Sequence, residues 1–253
     1  MTPWWVPFRA IYRLLRVAGF LMGLSLSMRL RFTALEDAAR RQRVQAWSRQ
    51  LLACLGVRLQ TQGQPWPGGK LIVSNHVSWM DIMAIDAVEP SRFVSKAEVG
   101  RWPIVGPLVT LAGTIYIERA RRRDALRVVG LLTQALRDGH VAAVFPEGTT
   151  GSGEALLGFH GNLLQSAIDA DVPVQAVALR YSDRHHAVSP AAAYIGDMNL
   201  FQSLWRIASA LDLTVSVTML TAQRVNHADR RALAAHLHGD IGEALASLSR
   251  MPS

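Results

Sequence analysis

A histidine and an aspartate five residues apart, His76 and Asp81, are the first candidates for chemistry in this chain. On a regular helix that spacing would turn the two side chains ~140° apart, so they could not meet. They can meet if His76 lies in a turn after a strand and Asp81 lies one turn into a helix that begins near Trp79. A carboxylate beside an imidazole fixes its tautomer and supports the imidazolium, as a general base requires. The alternative is a histidine that only caps a helix.

A second polar loop follows the apolar run at residues 141–145. Residues 145–150 have the sequence Phe-Pro-Glu-Gly-Thr-Thr, and Gly-Ser-Gly follows them. The hydroxyl groups and exposed backbone N–H groups of such a loop can contact a ligand, and glycine lets the backbone approach an anion closely. Taken alone, the segment is either a polar active-site loop or an ordinary turn.

The scarcity of other suitably placed reactive residues excludes several classes of enzyme. The single cysteine, Cys54, permits neither an internal disulfide nor a four-cysteine metal site. The pairs His185-His186 and His236-x-His238 have no Cys, Asp or Glu at ligand spacing, so we expect no metal. A lipase or thioesterase would need a nucleophile, and no Gly-x-Ser-x-Gly segment supplies one.

Composition indicates an anionic partner. Of the 253 residues, 50% are hydrophobic and only 18% are charged, and the formal net charge is +8. Such a balance suits either nucleic acid or an anionic lipid surface. The arginines are scattered and no groove-reading module is recognisable, so we expect no nucleic-acid partner. An anionic membrane surface is the partner that remains.

The two loops taken together resemble a known family. Asn75-His76-x4-Asp81, followed seventy residues later by Phe-Pro-Glu-Gly-Thr at 145–149, is similar to the glycerolipid acyltransferases, typified by 1-acyl-glycerol-3-phosphate acyltransferase. The resemblance extends from about residue 35 to residue 181. Three lesser blocks agree with it in order: Lys-Ala-Glu at 96–98, Gly-Thr-Ile-Tyr-Ile-Glu-Arg at 113–119 and Val-Pro-Val at 172–174.

The resemblance implies transfer of a fatty acyl group from acyl-CoA or acyl carrier protein to a lysolipid hydroxyl, with no cofactor and no acyl-enzyme. The favoured acceptor is 1-acyl-sn-glycerol-3-phosphate, and a non-catalytic lipid-binding protein is the alternative from another class. The implied roles are general base for His76, orientation of that base for Asp81, phosphate binding for Arg119, and shaping of the acceptor pocket for Glu147, Gly148 and Thr149.

One residue departs from the family pattern. Many members have arginine directly after Phe-Pro-Glu-Gly-Thr, whereas this chain has Thr150. A Thr-Thr version, with Leu-Arg-Tyr later in the chain as at residues 179–181, resembles branches that act on lyso-ornithine lipid. The loss of a positive charge fits an acceptor without a phosphate monoester. Lyso-ornithine lipid O-acyltransferase therefore stays open as the alternative function.

The elements around these loops alternate between strands and helices. A stripe of apolar residues from Ala125 to Leu136 and another from Leu233 to Leu248 predict helices, and Thr33-x-x-Glu36 predicts a capping box for a helix that ends at Gly56. This order indicates an α/β domain with a mixed, mainly parallel sheet flanked by helices. Strands are predicted at residues 57–61, 70–74, 92–95, 114–117, 141–145, 174–180, 192–195 and 213–220.

The first thirty residues predict a helical membrane anchor. Arg9, Arg13 and Arg16 recur at helical spacing among aromatic and aliphatic residues, a pattern typical of a helix in the headgroup region. The uncharged run at 17–28 would span about 18 Å as a helix, short of the ~30 Å hydrocarbon core. A buried core helix and a signal peptide are the alternatives. We expect an anchoring region at 1–56, an acyltransferase domain at 57–253, and peripheral or monotopic attachment to the cytoplasmic face of the inner or plasma membrane.

Overall fold

Seven strands form one mixed sheet among the residues that the computed structural model describes, which are 4–31, 35–102, 105–118, 122–225 and 229–248. The strands are β1 (Arg58–Gln62), β2 (Lys70–Ser74), β3 (Arg92–Lys96), β4 (Ile115–Ile117), β5 (Val141–Val144), β6 (Val174–Ser182) and β7 (Thr214–Met219).

Helices cover both faces of this sheet. The helices are α1 (Val6–Arg31), α2 (Asp37–Leu55), α3 (Met80–Asp86), α4 (Val105–Leu111), α5 (Arg122–Arg137), α6 (Gln165–Ala170), α7 (Leu200–Ser209) and α8 (Arg230–Leu248), and a short 3-10 helix spans Ala97–Arg101.

The strand order is β1-β7-β6-β2-β5-β3-β4, and every neighbouring pair is parallel except β6 and β7. Strands β2 to β6 therefore share one direction, and β1 and β7 run the other way. Strand β2 lies between β5 and β6, with all five of its residues buried. Because parallel strands end at the same edge, the loops that follow β2 and β5 lie side by side. The predicted mainly parallel sheet is confirmed.

Two apolar clusters hold the helices to the sheet. On one face, Leu52 and Leu55 of α2 and Ile207 of α7 pack with inward residues of the sheet. On the other face, side chains from α5 and α8, among them Leu132 and Leu237, pack against the opposite side of the same strands. A sheet covered on both faces explains the nearly continuous apolar runs of its central strands.

Seven of the eight predicted strands form, each within two residues of the predicted bounds. The segment at 192–195 does not, and that prediction is wrong. Both sides of β2 are already occupied by β5 and β6, so no free edge is available beside it. Instead, Tyr194 N donates to the carbonyl of Val77 at 3.0 Å, and Ala192 and Ala193 are buried beneath the loop that follows β2.

Helix α2 begins later than its capping pattern predicts. Its first residue is Asp37, and Glu36 stands at the N-cap without a side-chain cap hydrogen bond, whereas Thr33 lies outside the described residues. The predicted end is confirmed. Gly56 closes the helix in the left-handed conformation, with a φ of 74°, which glycine adopts without steric cost.

Helix α1 points two of its arginines inward. Arg9 and Arg13 make four hydrogen bonds of 2.9–3.1 Å to the carbonyls of residues 208–210, at the end of α7. The last carbonyls of a helix lack intrahelical partners and carry partial negative charge, so they attract cations. The assignment of Arg9 and Arg13 to a headgroup-facing stripe is therefore wrong, and only Arg16 remains exposed.

The outward face of α1 is apolar instead. Four side chains of the helix are exposed there at multiples of a helical turn, and Trp4, just before the helix, continues their spacing: Trp4 (81%), Phe8 (67%), Ile11 (48%), Leu15 (66%) and Met22 (65%). In the described ranges, no helix combines the length and the hydropathy that crossing a bilayer would require.

The buried carboxyl of Asp86, at the end of α3, makes the stability of this fold depend on pH. Burial raises the pKa of Asp86 to about 8, although its Oδ1 accepts a hydrogen bond from Ser91 N. The folded chain thus keeps a proton that the unfolded chain releases near its ordinary pKa of 3.8. Stability is highest below that pKa and declines, by at most about 1.4 kcal/mol per pH unit, until the pH passes the folded-state value.

We expect Asp86→Asn to remove this dependence, because an amide does not titrate and still accepts the hydrogen bond from Ser91. Between pH 5 and pH 8, the free energy of unfolding of the wild type should fall by about 1–3 kcal/mol relative to the variant. Urea unfolding at both pH values measures the difference. A difference that does not change with pH would contradict the assignment of a protonated Asp86.

Candidate active site

The loop between β2 and α3 is fixed where it leaves the sheet by the buried side chain of Asn75. Its Nδ2 donates to the carbonyl of Leu179 at 2.9 Å, and its Oδ1 accepts from Leu179 N at 2.8 Å. The amide side chain therefore pairs with β6 as a backbone group would. Because the Asn75 side chain takes the place of a backbone partner, the backbone hydrogen bonding between β2 and β6 ends here. The next residue, His76, is directed away from the sheet.

His76 and Asp81 meet as their spacing predicts. Helix α3 starts at Met80, so Asp81 lies in its first turn, and its Oδ2 is 2.8 Å from Nδ1 of His76. The same Oδ2 accepts the backbone N–H groups of Val77 and Ser78, at 2.6 and 2.9 Å. Asp81 is fully buried, whereas 19% of the His76 side chain is exposed.

This network assigns the proton on the imidazole. Asp81 is surrounded by donors, so its carboxylate acts only as an acceptor and Nδ1 of His76 must be the donor. The lone pair of the ring is then on Nε2, on the partly exposed side chain. An imidazole in this tautomer can accept a proton from a substrate, and the buried carboxylate stabilises the imidazolium that results.

Phe145, the first residue after β5, sets the plane of the imidazole. The two rings stack with centroids 4.0 Å apart and an interplanar angle of 10°, and Phe145 in turn lies 5.9 Å from the ring of Phe93. The sequence marks Phe145 only as part of a motif. Its contact with His76 depends on the adjacency of β2 and β5.

Both carboxylate oxygens of Glu147 bind the protein backbone. Oε1 accepts from His76 N at 2.7 Å and Oε2 accepts from Leu157 N at 3.2 Å, on a residue that is 6% exposed. Burial raises the pKa of Glu147, while the two backbone N–H groups lower it. Glu147 thus joins the two loops and holds the backbone of His76, and its predicted contact with the acceptor stays a prediction.

The rest of the second loop surrounds the same histidine. Gly151 N donates to the carbonyl of His76 at 2.7 Å, and the hydroxyl of Thr150 donates to the carbonyl of Tyr194. Gly148 has a φ of 70°, and Thr149 is exposed. The hydroxyl of Thr150 therefore joins this loop to the segment at 192–195, and Gly148 and Thr149 keep their predicted pocket roles as predictions.

Tyr181 is a site residue that sequence reasoning missed. Its side chain is 1% exposed, and its hydroxyl donates to Oδ1 of Asp81 at 2.7 Å. Burial and the neighbouring carboxylate raise the pKa of Tyr181 well above its ordinary value, so the hydroxyl keeps its proton and remains a donor. A signal existed, because Val177, Leu179 and Tyr181 alternate on one face of β6, and only the last bears a polar group.

The sequence also draws attention to Arg119 and Cys54. Arg119 lies outside the described residues, so its role in binding phosphate stays a prediction. Cys54 is buried in the core. In the part of the chain that the structure describes, no group of three His, Cys, Asp or Glu residues could hold a metal ion.

Comparison with known proteins identifies the family of this chain. The family model described as Acyltransferase matches residues 58–180. A 1-acyl-sn-glycerol-3-phosphate acyltransferase of Neisseria gonorrhoeae is 40% identical over 199 residues, which cover 77% of each chain. The chain belongs to the acyltransferase family.

Two further matches bear on this acyltransferase. A lyso-ornithine lipid O-acyltransferase of Pseudomonas aeruginosa is 37% identical over 226 residues, which cover 88% of this chain and 86% of that protein. The crystal structure of the 1-acyl-sn-glycerophosphate acyltransferase PlsC from Thermotoga maritima superposes with a TM-score of 0.70 at 18% identity. The superposition covers 97% of this chain and 99% of that one, and shows that the fold is shared. The family implies a lysolipid acceptor and an acyl donor.

We expect Tyr181→Phe to weaken catalysis without altering substrate binding, because it removes only the hydroxyl that holds Asp81. A lost hydrogen bond to a buried charge should lower the free energy of unfolding by about 1–3 kcal/mol. The less firmly held base should lower kcat roughly tenfold, with little change in KM for either substrate. Steady-state kinetics and urea unfolding measure both effects, with Tyr12→Phe on the exposed face of α1 as control. An unchanged kcat would show that Tyr181 does not support the base.

Proposed function

We propose that this acyltransferase transfers a fatty acyl group from acyl-CoA or acyl carrier protein to the free hydroxyl of 1-acyl-sn-glycerol-3-phosphate. The observation that carries the proposal is the 2.8 Å hydrogen bond between His76 and the fully buried Asp81, which leaves Nε2 of the histidine free to act as a base. A protein that only binds lipid would have no need of a buried carboxylate paired with a histidine at an open loop.

The reaction needs one proton to move twice. Nε2 of His76 takes the proton of the acceptor hydroxyl while that oxygen attacks the thioester carbonyl. The carbon–sulfur bond then breaks, and the imidazolium returns the proton to the leaving thiolate. The products are the ester and the free thiol of the donor, with no covalent enzyme intermediate and no cofactor. Asp81 stabilises the imidazolium between these two steps.

The acceptor is assigned to the phosphate type because Arg119 completes the family's block at 113–119. A guanidinium binds phosphate with two charge-assisted hydrogen bonds, which are stronger than neutral ones. Thr150 favours the second candidate, lyso-ornithine lipid. Its hydroxyl already donates to the carbonyl of Tyr194, and threonine adds no positive charge beside His76. The relatives include both activities at similar identity, so the choice depends on these two positions.

Attachment to a membrane surface is part of the proposal. The exposed stripe that runs from Trp4, just before α1, to Met22 on the helix is apolar and aromatic, as in helices that lie within the interface of a bilayer. The lysolipid is itself a membrane component, and the soluble donors are cytoplasmic. We therefore assign the protein to the cytoplasmic face of the inner or plasma membrane, bound peripherally or monotopically through α1.

His76→Ala tests the mechanism. Because the variant lacks the proposed base, kcat should fall by about 10²–10⁴-fold, the usual contribution of general-base catalysis. Acyl transfer is measured with purified protein in detergent, with both donors offered, and circular dichroism checks the fold. His185→Ala removes an exposed histidine outside the site and is the matched control. A His76→Ala protein that keeps more than about a tenth of the wild-type rate would exclude the general-base role.

A competition between the two lysolipids tests the acceptor. We expect faster acylation of 1-acyl-sn-glycerol-3-phosphate, and we expect Arg119→Ala to raise its KM about tenfold or more with little change in KM for the donor. Arg58→Ala, on the edge strand β1 at the far side of the sheet, is the control. Faster acylation of lyso-ornithine lipid, with little loss in Arg119→Ala, would replace the first candidate with the second.

A further inference from the structure

An exposed apolar surface lies on α7 and the segment before it. Phe201 and Trp205, one helical turn apart, are 70% and 37% exposed, and Ile195 is 44% exposed. With the half-buried Met198 they line an open depression, whose rim includes Arg206. We call Ile195, Met198, Phe201 and Trp205 the α7 platform.

The inner side of α7 accounts for its folding without these residues. Its start is fixed by a capping box, in which the Asn199 side chain accepts from Gln202 N and the Gln202 side chain accepts from Asn199 N. Ser203 and Ile207 are fully buried on the side that faces the domain. The outward Phe201 therefore adds little to the stability of the fold. An exposed apolar patch of this kind indicates a surface that binds a partner.

The α7 platform is attached directly to the active-site loops. Nε1 of Trp79, the residue before α3, donates to the hydroxyl of Ser203 at 3.0 Å. On the other side, Tyr194 joins the segment before α7 to Val77 and to Thr150. The surface is therefore held rigidly beside the loop that carries the catalytic histidine.

The α7 platform is also coupled to α1. The guanidinium groups of Arg9 and Arg13 bind the last carbonyls of α7, so the two helices pack against each other. Each of them carries exposed aromatic side chains, among them Phe8 and Tyr12 on α1 and Phe201 on α7. Tryptophan and phenylalanine are typical of residues that enter the interface of a bilayer, and an arginine at the rim can contact anionic headgroups.

We propose that the α7 platform is a second membrane-contact surface, which inserts into the bilayer beside α1 and presents the His76 loop to lysolipid in the same leaflet. This inference rests on the proposed acylation of a lipid acceptor. Its occupant is the lipid bilayer itself. A lysolipid that reaches the site from the leaflet keeps its acyl chain in the hydrocarbon, so contact between this edge of the domain and the bilayer shortens the path of its hydroxyl to Nε2.

The double variant Phe201→Gln/Trp205→Gln in the full chain tests the proposal. We expect its apparent Kd for vesicles of phosphatidylethanolamine and phosphatidylglycerol to rise about tenfold, since two inserted aromatic side chains are lost. Acylation of a long-chain acceptor in those vesicles should fall about fivefold or more, while acylation of a short-chain analogue that dissolves as a monomer should not change. Leu126→Gln, which alters a 75% exposed leucine on α5, is the matched control and should change neither value.

A second measurement does not depend on the folding of that variant. Vesicles with brominated acyl chains quench the fluorescence of inserted tryptophan, and the conservative Trp205→Phe should reduce the quenched signal without weakening vesicle binding. Equal quenching in Trp205→Phe and wild type would overturn the proposal. So would unchanged vesicle binding in the double variant, or a shift from dimer to monomer, which would make the surface an interface between copies of the chain. Because vesicle binding and quenching need no turnover, they decide this proposal even if the proposed acyl transfer is absent.

Discussion

The active site depends on a single buried charge, the carboxylate of Asp81. An ionised group without exposure is costly unless donors surround it, and here four donors do so: the His76 ring, two backbone N–H groups and the hydroxyl of Tyr181. These donors come from the loop after β2 and from β6, while Asp81 itself is on α3. The requirement to satisfy one carboxylate therefore fixes three elements relative to one another. It also sets the tautomer of His76, so the interaction that stabilises this site also leaves Nε2 able to accept a proton.

The histidine is held by its backbone as firmly as by its ring. Glu147 accepts its N–H, Gly151 donates to its carbonyl, and Phe145 stacks on its imidazole. All three contacts come from the loop after β5, which neighbours β2 in the sheet. An imidazole held in this way can act as the proposed base without first losing the conformational entropy of an unordered side chain. The Phe-Pro-Glu-Gly-Thr loop thus acts on the histidine directly, whatever further contacts it makes with substrate.

Helix α1 directs arginines toward the protein and apolar side chains outward, which its sequence pattern did not predict. The arginines of α1 satisfy the last carbonyls of α7, a protein contact, while the apolar side chains of α1 face outward. This arrangement couples the proposed anchor to a helix that is itself hydrogen-bonded to the residue before α3. In the proposed mode of attachment, the position of α1 on a membrane and the position of the His76 loop are therefore linked through α7. Such a link suits an acyltransferase whose acceptor is a lysolipid.

The sequence alone determined what depends on local pattern. The bounds of β2, the end of α2 at Gly56 and the meeting of His76 with Asp81 follow from burial, glycine conformation and spacing, which are properties of short segments. The contacts of Glu147 with His76, of Tyr181 with Asp81 and of Arg13 with Ala208 were decided by the tertiary structure, because each joins residues at least seventy positions apart. For the same reason the apolar segment at 192–195 looked like a strand. Its pattern is that of a strand, but only the sheet order reveals that both sides of β2, the strand whose loop it packs against, are already paired.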